Sequence, residues 1–225
     1  MADNSLLYSL RSRSRTERAS PRHWESGFTL IEVLVSIVVL SFGILGLVGV
    51  QAFALQSTRE ARLQAQAANL AREMAEMMRG NNQIGIKSDA SLNPYLINLQ
   101  SPLAPATASY CLGVASSSAC ADGTAVARAE LTDWLTRLDA ALPGARVVIC
   151  FDKAPYDSNG MPQWNCTPGT AGVDEVAVIK IGWTRKSTLR ASATSDGVET
   201  TTATGSYPYV VFPVTSGNPM GAPSL

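Results

Sequence analysis

Hydrophobic and polar positions divide the chain into three regimes. Residues 1–27 are rich in Ser, Arg, Thr and Glu and show no apolar period. From Phe28 to Leu55 apolar side chains face every direction of a helix, and Val33 to Val50 is an uncharged run of 18 residues. A helix apolar all round is buried in protein or lipid, and a run this long approaches the roughly 20 residues needed to span a bilayer. From Gln51 the pattern becomes amphipathic. Leu63, Ala67, Leu70, Met74 and Met77 form one stripe, and Arg59, Glu60, Arg62, Arg72, Glu73, Glu76 and Arg79 cover the remainder. No proline interrupts 28–79, and Gly80-Asn81-Asn82 supplies a stop. At 1.5 Å per residue this predicts a helix of about 78 Å.

Beyond residue 80 Gly, Pro, Asn, Ser and Thr become frequent. Residues 81–124 show little periodicity. Val126–Leu142 reads as a helix with Leu131, Trp134, Leu135, Leu138 and Leu142 on its apolar face, ended by Pro143-Gly144. Arg146–Phe151 reads as a strand. Val173–Lys186 reads as another, with Ala177, Ile179, Ile181 and Trp183 on one face. Tyr207–Val214 is a third, and Pro208 and Pro213 suit an edge. The expected class is α+β: a long N-terminal helix packed on a small antiparallel sheet with an extra helix.

Charge adds a direction. Residues 1–27 carry five arginines against Asp3, Glu17 and Glu25, a net of +2; the remainder carries −2 and the whole chain is neutral. A basic start before an apolar run places the N-terminus in the cytoplasm by the positive-inside rule. Neutrality overall gives no nucleic-acid footprint. The four cysteines all lie beyond the apolar run, on the side facing an oxidising compartment, where an even count reads as disulfides. Of three connectivities, the one closing the shortest loops is favoured: Cys111 with Cys120 and Cys150 with Cys166. No C-x₂-C spacing points to zinc. Asp157-Ser158-Asn159-Gly160, with Asp152 nearby, resembles the start of a calcium loop, but the twelfth position is Pro168 where a bidentate Glu is required. No metal or cofactor is expected.

The single histidine, His23, precedes the apolar run. Removal of a leader would leave no histidine for Ser-His-Asp or Cys-His catalysis. No phosphate-binding loop appears, and an enzyme is not expected.

Glu32 is the anomaly. A charged residue at membrane depth costs about 2.5–3.5 kcal/mol on insertion scales. The stretch Gly27-Phe28-Thr29-Leu30-Ile31-Glu32-Val33-Leu34-Val35 resembles the class III signal of type IV pilins and of the related pseudopilins of type II secretion. Within that group it looks most like the minor pilins of the PilV kind, the type IV pilus modification proteins. The resemblance covers about the first quarter of the chain, with Glu25-Ser26 standing where family leaders usually carry Lys or Arg. Carried over by position, it implies cleavage by prepilin peptidase after Gly27, methylation of the new amine at Phe28, and a Glu32 carboxylate needed for subunit assembly. On a helix residues 28 and 32 share a face, so the new amine and the carboxylate would lie one turn apart.

The resemblance implies an organisation too: 1–27 a cytoplasmic leader, 28–55 the membrane and filament-core half of the helix, 56–80 its amphipathic half, and 81–225 a periplasmic head. Implied partners are prepilin peptidase, other minor and major pilins, the inner-membrane assembly platform and a tip-associated adhesin. The implied location is the inner membrane, then the fibre. Two rival readings stand beside this one. One is a type II secretion pseudopilin. The other is a secreted or tethered binding module that uses 1–54 as an ordinary signal or anchor, cut after Ala52-Phe53-Ala54.

Overall fold

The computed structural model describes residues 27–113, 119–170, 176–186, 198–203 and 205–215. The chain divides into two compact units, Met1–Gln51 and Ala52–Leu225. Helix α1, Leu30–Gly80, is continuous and contributes to both. In the first unit every described residue is exposed.

The second unit is α+β. Its elements are the end of α1, a single-turn α2 (Asn82–Gly85), β1 (Ile97–Gln100), α3 (Gly123–Ala141), β2 (Arg146–Phe151), β3 (Ala177–Gly182), β4 (Arg185–Lys186), β5 (Val198–Glu199) and β6 (Val210–Val214). Strands β1-β2-β3-β6 form one antiparallel sheet in that order, and β4 pairs with β5. The long helix, the small antiparallel sheet and the extra helix are thus all present. One face of the sheet, carrying Val147, Ile149, Phe151, Ala177, Ile179 and Ile181, shares a core with Ala67, Leu70, Ala71, Met74, Ala75 and Met78 of α1 and with Leu131, Trp134, Leu135 and Leu138 of α3. The stripe on α1 ends on Met78; Met77 is only half-buried. The small side chains of Ala71 and Ala75 widen the buried face beyond what leucines and methionines alone mark.

Trp134 anchors α3. It is fully buried and its Nε1–H donates to the Leu70 carbonyl at 2.9 Å. The Arg137 guanidinium forks onto Glu73 at 2.8 and 2.6 Å and reaches Asp133 at 2.9 Å. These ions are exposed enough that they set the pairing of the helices more than the stability. Asp122 caps the helix, accepting from the Ala125 N–H at 2.7 Å. That cap starts α3 at Gly123, three residues before the apolar pattern marks it. Near its start, Tyr95 is fully buried and donates to the Glu130 carboxylate. Burial, then that bond, pushes the Tyr95 phenol well above its usual range. Burial likewise raises the Glu130 carboxyl, against the opposing pull of Tyr95.

Three strands also differ from the sequence expectation. The strand expected over 173–186 forms its main ladder only over Ala177–Gly182, and 173–175 lie outside the described residues. It leaves the sheet where Thr184 N–H donates to the Pro143 carbonyl at 2.8 Å, against the turn at Gly144, whose φ is 56°. A side chain at Gly144 would be strained in that left-handed conformation and would meet Thr184 Oγ1 at 2.3 Å. The strand expected from Tyr207 pairs only from Val210. It does lie at the sheet edge, with Pro213 opposite Val178. Strand β1 lies in a stretch without legible periodicity; it is four residues long at the other edge.

The second face of the sheet is closed by the loop following β2. Cys150 is bonded to Cys166 with Cα atoms 6.4 Å apart, and Cys111 to Cys120 at 5.0 Å. Trp164 lies on Gly182, where a Cβ would meet its ring at 2.9 Å, and Arg146 stacks over the same ring at 4.4 Å. Beneath this cover Val148, Val178 and Lys180 are buried.

Candidate functional site

Residues 27–29 precede the first helical residue, and the Thr29 carbonyl accepts from Glu32 N–H at 3.0 Å and Val33 N–H at 3.3 Å. Thr29 therefore holds the N-cap position of α1 and Glu32 the third helical position, the Thr-x-x-Glu spacing of a helix start. In the chain before any cleavage Phe28 lies ahead of the helix, and the shared face of residues 28 and 32 belongs to a cleaved chain whose helix extends to its new N-terminus. A carboxylate here is favoured by the partial positive charge of the helix N-terminus, by about 0.3–1 kcal/mol at an exposed site. Phe28 is 81% exposed and Leu30 84%.

The helix beyond is suited to an apolar surrounding. It is long and apolar enough to cross a membrane, and none of its apolar window is covered by the described protein. Ser36 and Ser41 return their hydroxyls to the carbonyls of Glu32 and Ile37, both at 2.7 Å. Those bonds leave the hydroxyls no need of water. Gly43, Gly46 and Gly49 have open space beside their Cα atoms, room for the close approach of another backbone.

The other candidate chemistry of the sequence lies in the second unit and does not converge. The Cys150, Cys166 and Asp152 ligand atoms lie within 4.8 Å of one another, but the two sulfurs are bonded to each other and Asp152 is taken by Lys180 at 2.5 Å. Asp157 accepts from the N–H groups of Asn159 and Met161, both at 2.8 Å, as in a polar turn. An open cleft of about 900 Å³ between residues 52–64 of α1 and the β4–β5 pair contains Phe53, Arg59, Glu60, Arg185 and Glu199. Arg185 is committed to Glu199 at 2.7 Å and to the Tyr209 ring at 4.1 Å, and no histidine or thiol lines the cleft.

One charged group was invisible in the sequence. Lys180 alternates onto the sheet face opposite Ile179 and Ile181, a position that ordinarily meets solvent. Here it has no exposed side-chain surface. Its partner Asp152 is pushed up by burial, but hydrogen bonds from Lys180, Thr167 N–H and Ala154 N–H outweigh this and hold the carboxyl below its usual value.

Residues 25–48 match the family model described as the prokaryotic N-terminal methylation motif. No curated protein and no solved structure matches the chain. The match takes in Gly27, Phe28, Glu32 and most of the apolar run. The chain carries a type IV pilin-like class III signal at the start of a helix long and apolar enough to cross a membrane.

Proposed function

We propose that this chain is a minor pilin of the PilV kind, a non-catalytic subunit that takes part in initiating, assembling or modifying type IV pili. The observation that carries the reading is the methylation motif over residues 25–48, set at the head of an uncovered apolar helix with one carboxylate near its start. In this reading 1–27 is the cytoplasmic leader and the chain waits in the inner membrane with 81–225 in the periplasm. Prepilin peptidase cuts after Gly27 and methylates Phe28. Residues 28–55 then leave lipid for the filament core, where lipid-like burial continues and only polar pairing needs replacing. Glu32 supplies that pairing by accepting from the amine at Phe28 of its own or a neighbouring subunit. Thr29 leads straight into α1, so a cut at Gly27 leaves a two-residue extension that can join the helix and bring the amine within a turn of Glu32. The head, 81–225, is held by its disulfides and presents the surface that other minor and major pilins, the assembly platform and a tip-associated adhesin meet.

The test is where the protein goes. Cells carrying a tagged copy are sheared and the released fibres probed. The protein is expected in the fibre fraction, and loss of prepilin peptidase is expected to return it to the membrane. Its absence from fibres, together with normal piliation after deletion of its gene, would sink the reading; a defect confined to protein secretion would favour the pseudopilin instead.

A further inference from the structure

The loop closed by Cys150–Cys166 covers a site with the parts of an amide already in place. Lys180 Nζ donates to Asp152 Oδ2 at 2.5 Å and to the Asn165 carbonyl at 2.6 Å. The other carboxylate oxygen, Oδ1, accepts from two backbone N–H groups, Ala154 at 2.9 Å and Thr167 at 3.0 Å. Neither side chain has exposed surface. Around them lie Val148 and Val178 of the same sheet face, Trp164 and the disulfide.

As an ion pair this site is poorly matched. An ammonium has three N–H donors, and Lys180 has two acceptors among the described residues. Desolvating both charges is costly even when they touch. The amide that would form between them has one N–H and one carbonyl. The Asn165 carbonyl is placed to take the first, and the two N–H groups on Oδ1 already serve the second. The surroundings satisfy the condensed product more completely than the ions.

We propose that Lys180 and Asp152 condense to an intramolecular isopeptide bond that ties β3 to the loop over it. The chemistry is a dehydration. One proton passes from Nζ to Oδ2 along their hydrogen bond, giving a small population of neutral amine and neutral acid. The Nζ lone pair attacks Cγ, and the negative charge that develops on Oδ1 falls on the N–H groups of Ala154 and Thr167. The Cγ–Oδ2 bond then breaks. Oδ2 leaves as water with the proton already transferred and a second from Nζ, and one N–H remains on the new amide. Nothing is oxidised or reduced. Contact between the reacting groups replaces a bimolecular encounter, and exclusion of water disfavours the reverse reaction. Because the neutral pair is a minor species, conversion follows folding and continues after it. The product is a staple beside the Cys150–Cys166 bond that a reductant cannot open.

The experiment is the intact mass of the full-length wild-type protein purified from membranes in detergent, then reduced and denatured. After its N-terminal state is accounted for, most of the protein should be lighter than its sequence by one water. Trypsin should fail to cut after Lys180 and should release a branched peptide joining the Asp152 and Lys180 segments. The Lys180→Arg chain should regain the missing water. A full wild-type mass after prolonged incubation of the folded protein overturns the proposal. So does a missing water in a chain that trypsin still cuts after Lys180, because that pattern is a succinimide at Asp152.

Discussion

Replacing Glu32 with Ala is expected to leave membrane insertion and leader removal intact and to lower recovery in sheared fibres by roughly tenfold to a hundredfold, since a hydrogen bond to a charged group contributes about 1.5–3 kcal/mol and each 1.4 kcal/mol is about tenfold. The substitution removes one member of a buried pair. Glu32 and the amine left at Phe28 are each tolerable beside water or headgroups. In a filament core of apolar helices neither is tolerable alone. Losing the carboxylate leaves the amine uncompensated, and the penalty falls on assembly, the step that removes it from water. Insertion is spared because alanine enters lipid more readily than glutamate. The Glu32→Gln chain separates charge from hydrogen bonding. It keeps an acceptor but no charge and should fall between wild type and Glu32→Ala. Fibre recovery of Glu32→Ala equal to wild type would remove the proposed role.

The second large effect lies in the head. Trp134→Ala should destabilise the second unit by about 3–5 kcal/mol, the usual cost of truncating a fully buried tryptophan. Trp134 sits where α3 meets α1 and is the only described residue bonding a side-chain donor to the Leu70 carbonyl. Its loss opens a cavity between the helices and the sheet face of Ile179 and Ile181. Against a typical total of about 5–15 kcal/mol, such a loss should be plain in the urea midpoint of the full chain in detergent. A shift worth less than about 1 kcal/mol would mean the helices collapse onto each other without it. Arg137→Ala is the natural control, because its exposed ion pairs with Glu73 and Asp133 contribute at most about 1 kcal/mol.

What could be read from the chain, and what could not, follows from how local each signal is. The apolar helix is legible because lipid burial demands an unbroken run, and nothing distant can change that demand. The core faces of β2 and β3 are legible because Val147, Ile149, Ile179 and Ile181 alternate. Lys180 shows the limit of the same rule. Alternation assigns its face but not what covers it, and the cover comes from residues 152–167, a loop with no period of its own. The start of α3 was missed because the apolar pattern begins after the cap, although Asp122 followed by Gly-Thr-Ala is itself a cap signal. Strand β1 escaped because four half-exposed residues at an edge carry too little alternation to stand out. At the site, Gly27, Phe28 and Glu32 were legible as a motif, but the helix boundary between Phe28 and Glu32 was not. It is set by Thr29, whose carbonyl starts the hydrogen-bond ladder.

The pilin function proposed for the chain depends on cleavage between Gly27 and Phe28. The most direct measurement is the N-terminal sequence and mass of the protein recovered from cells making type IV pili. The expected result is a chain beginning at Phe28 with a methylated amine. A chain beginning at Met1 or at Leu55 would contradict the account.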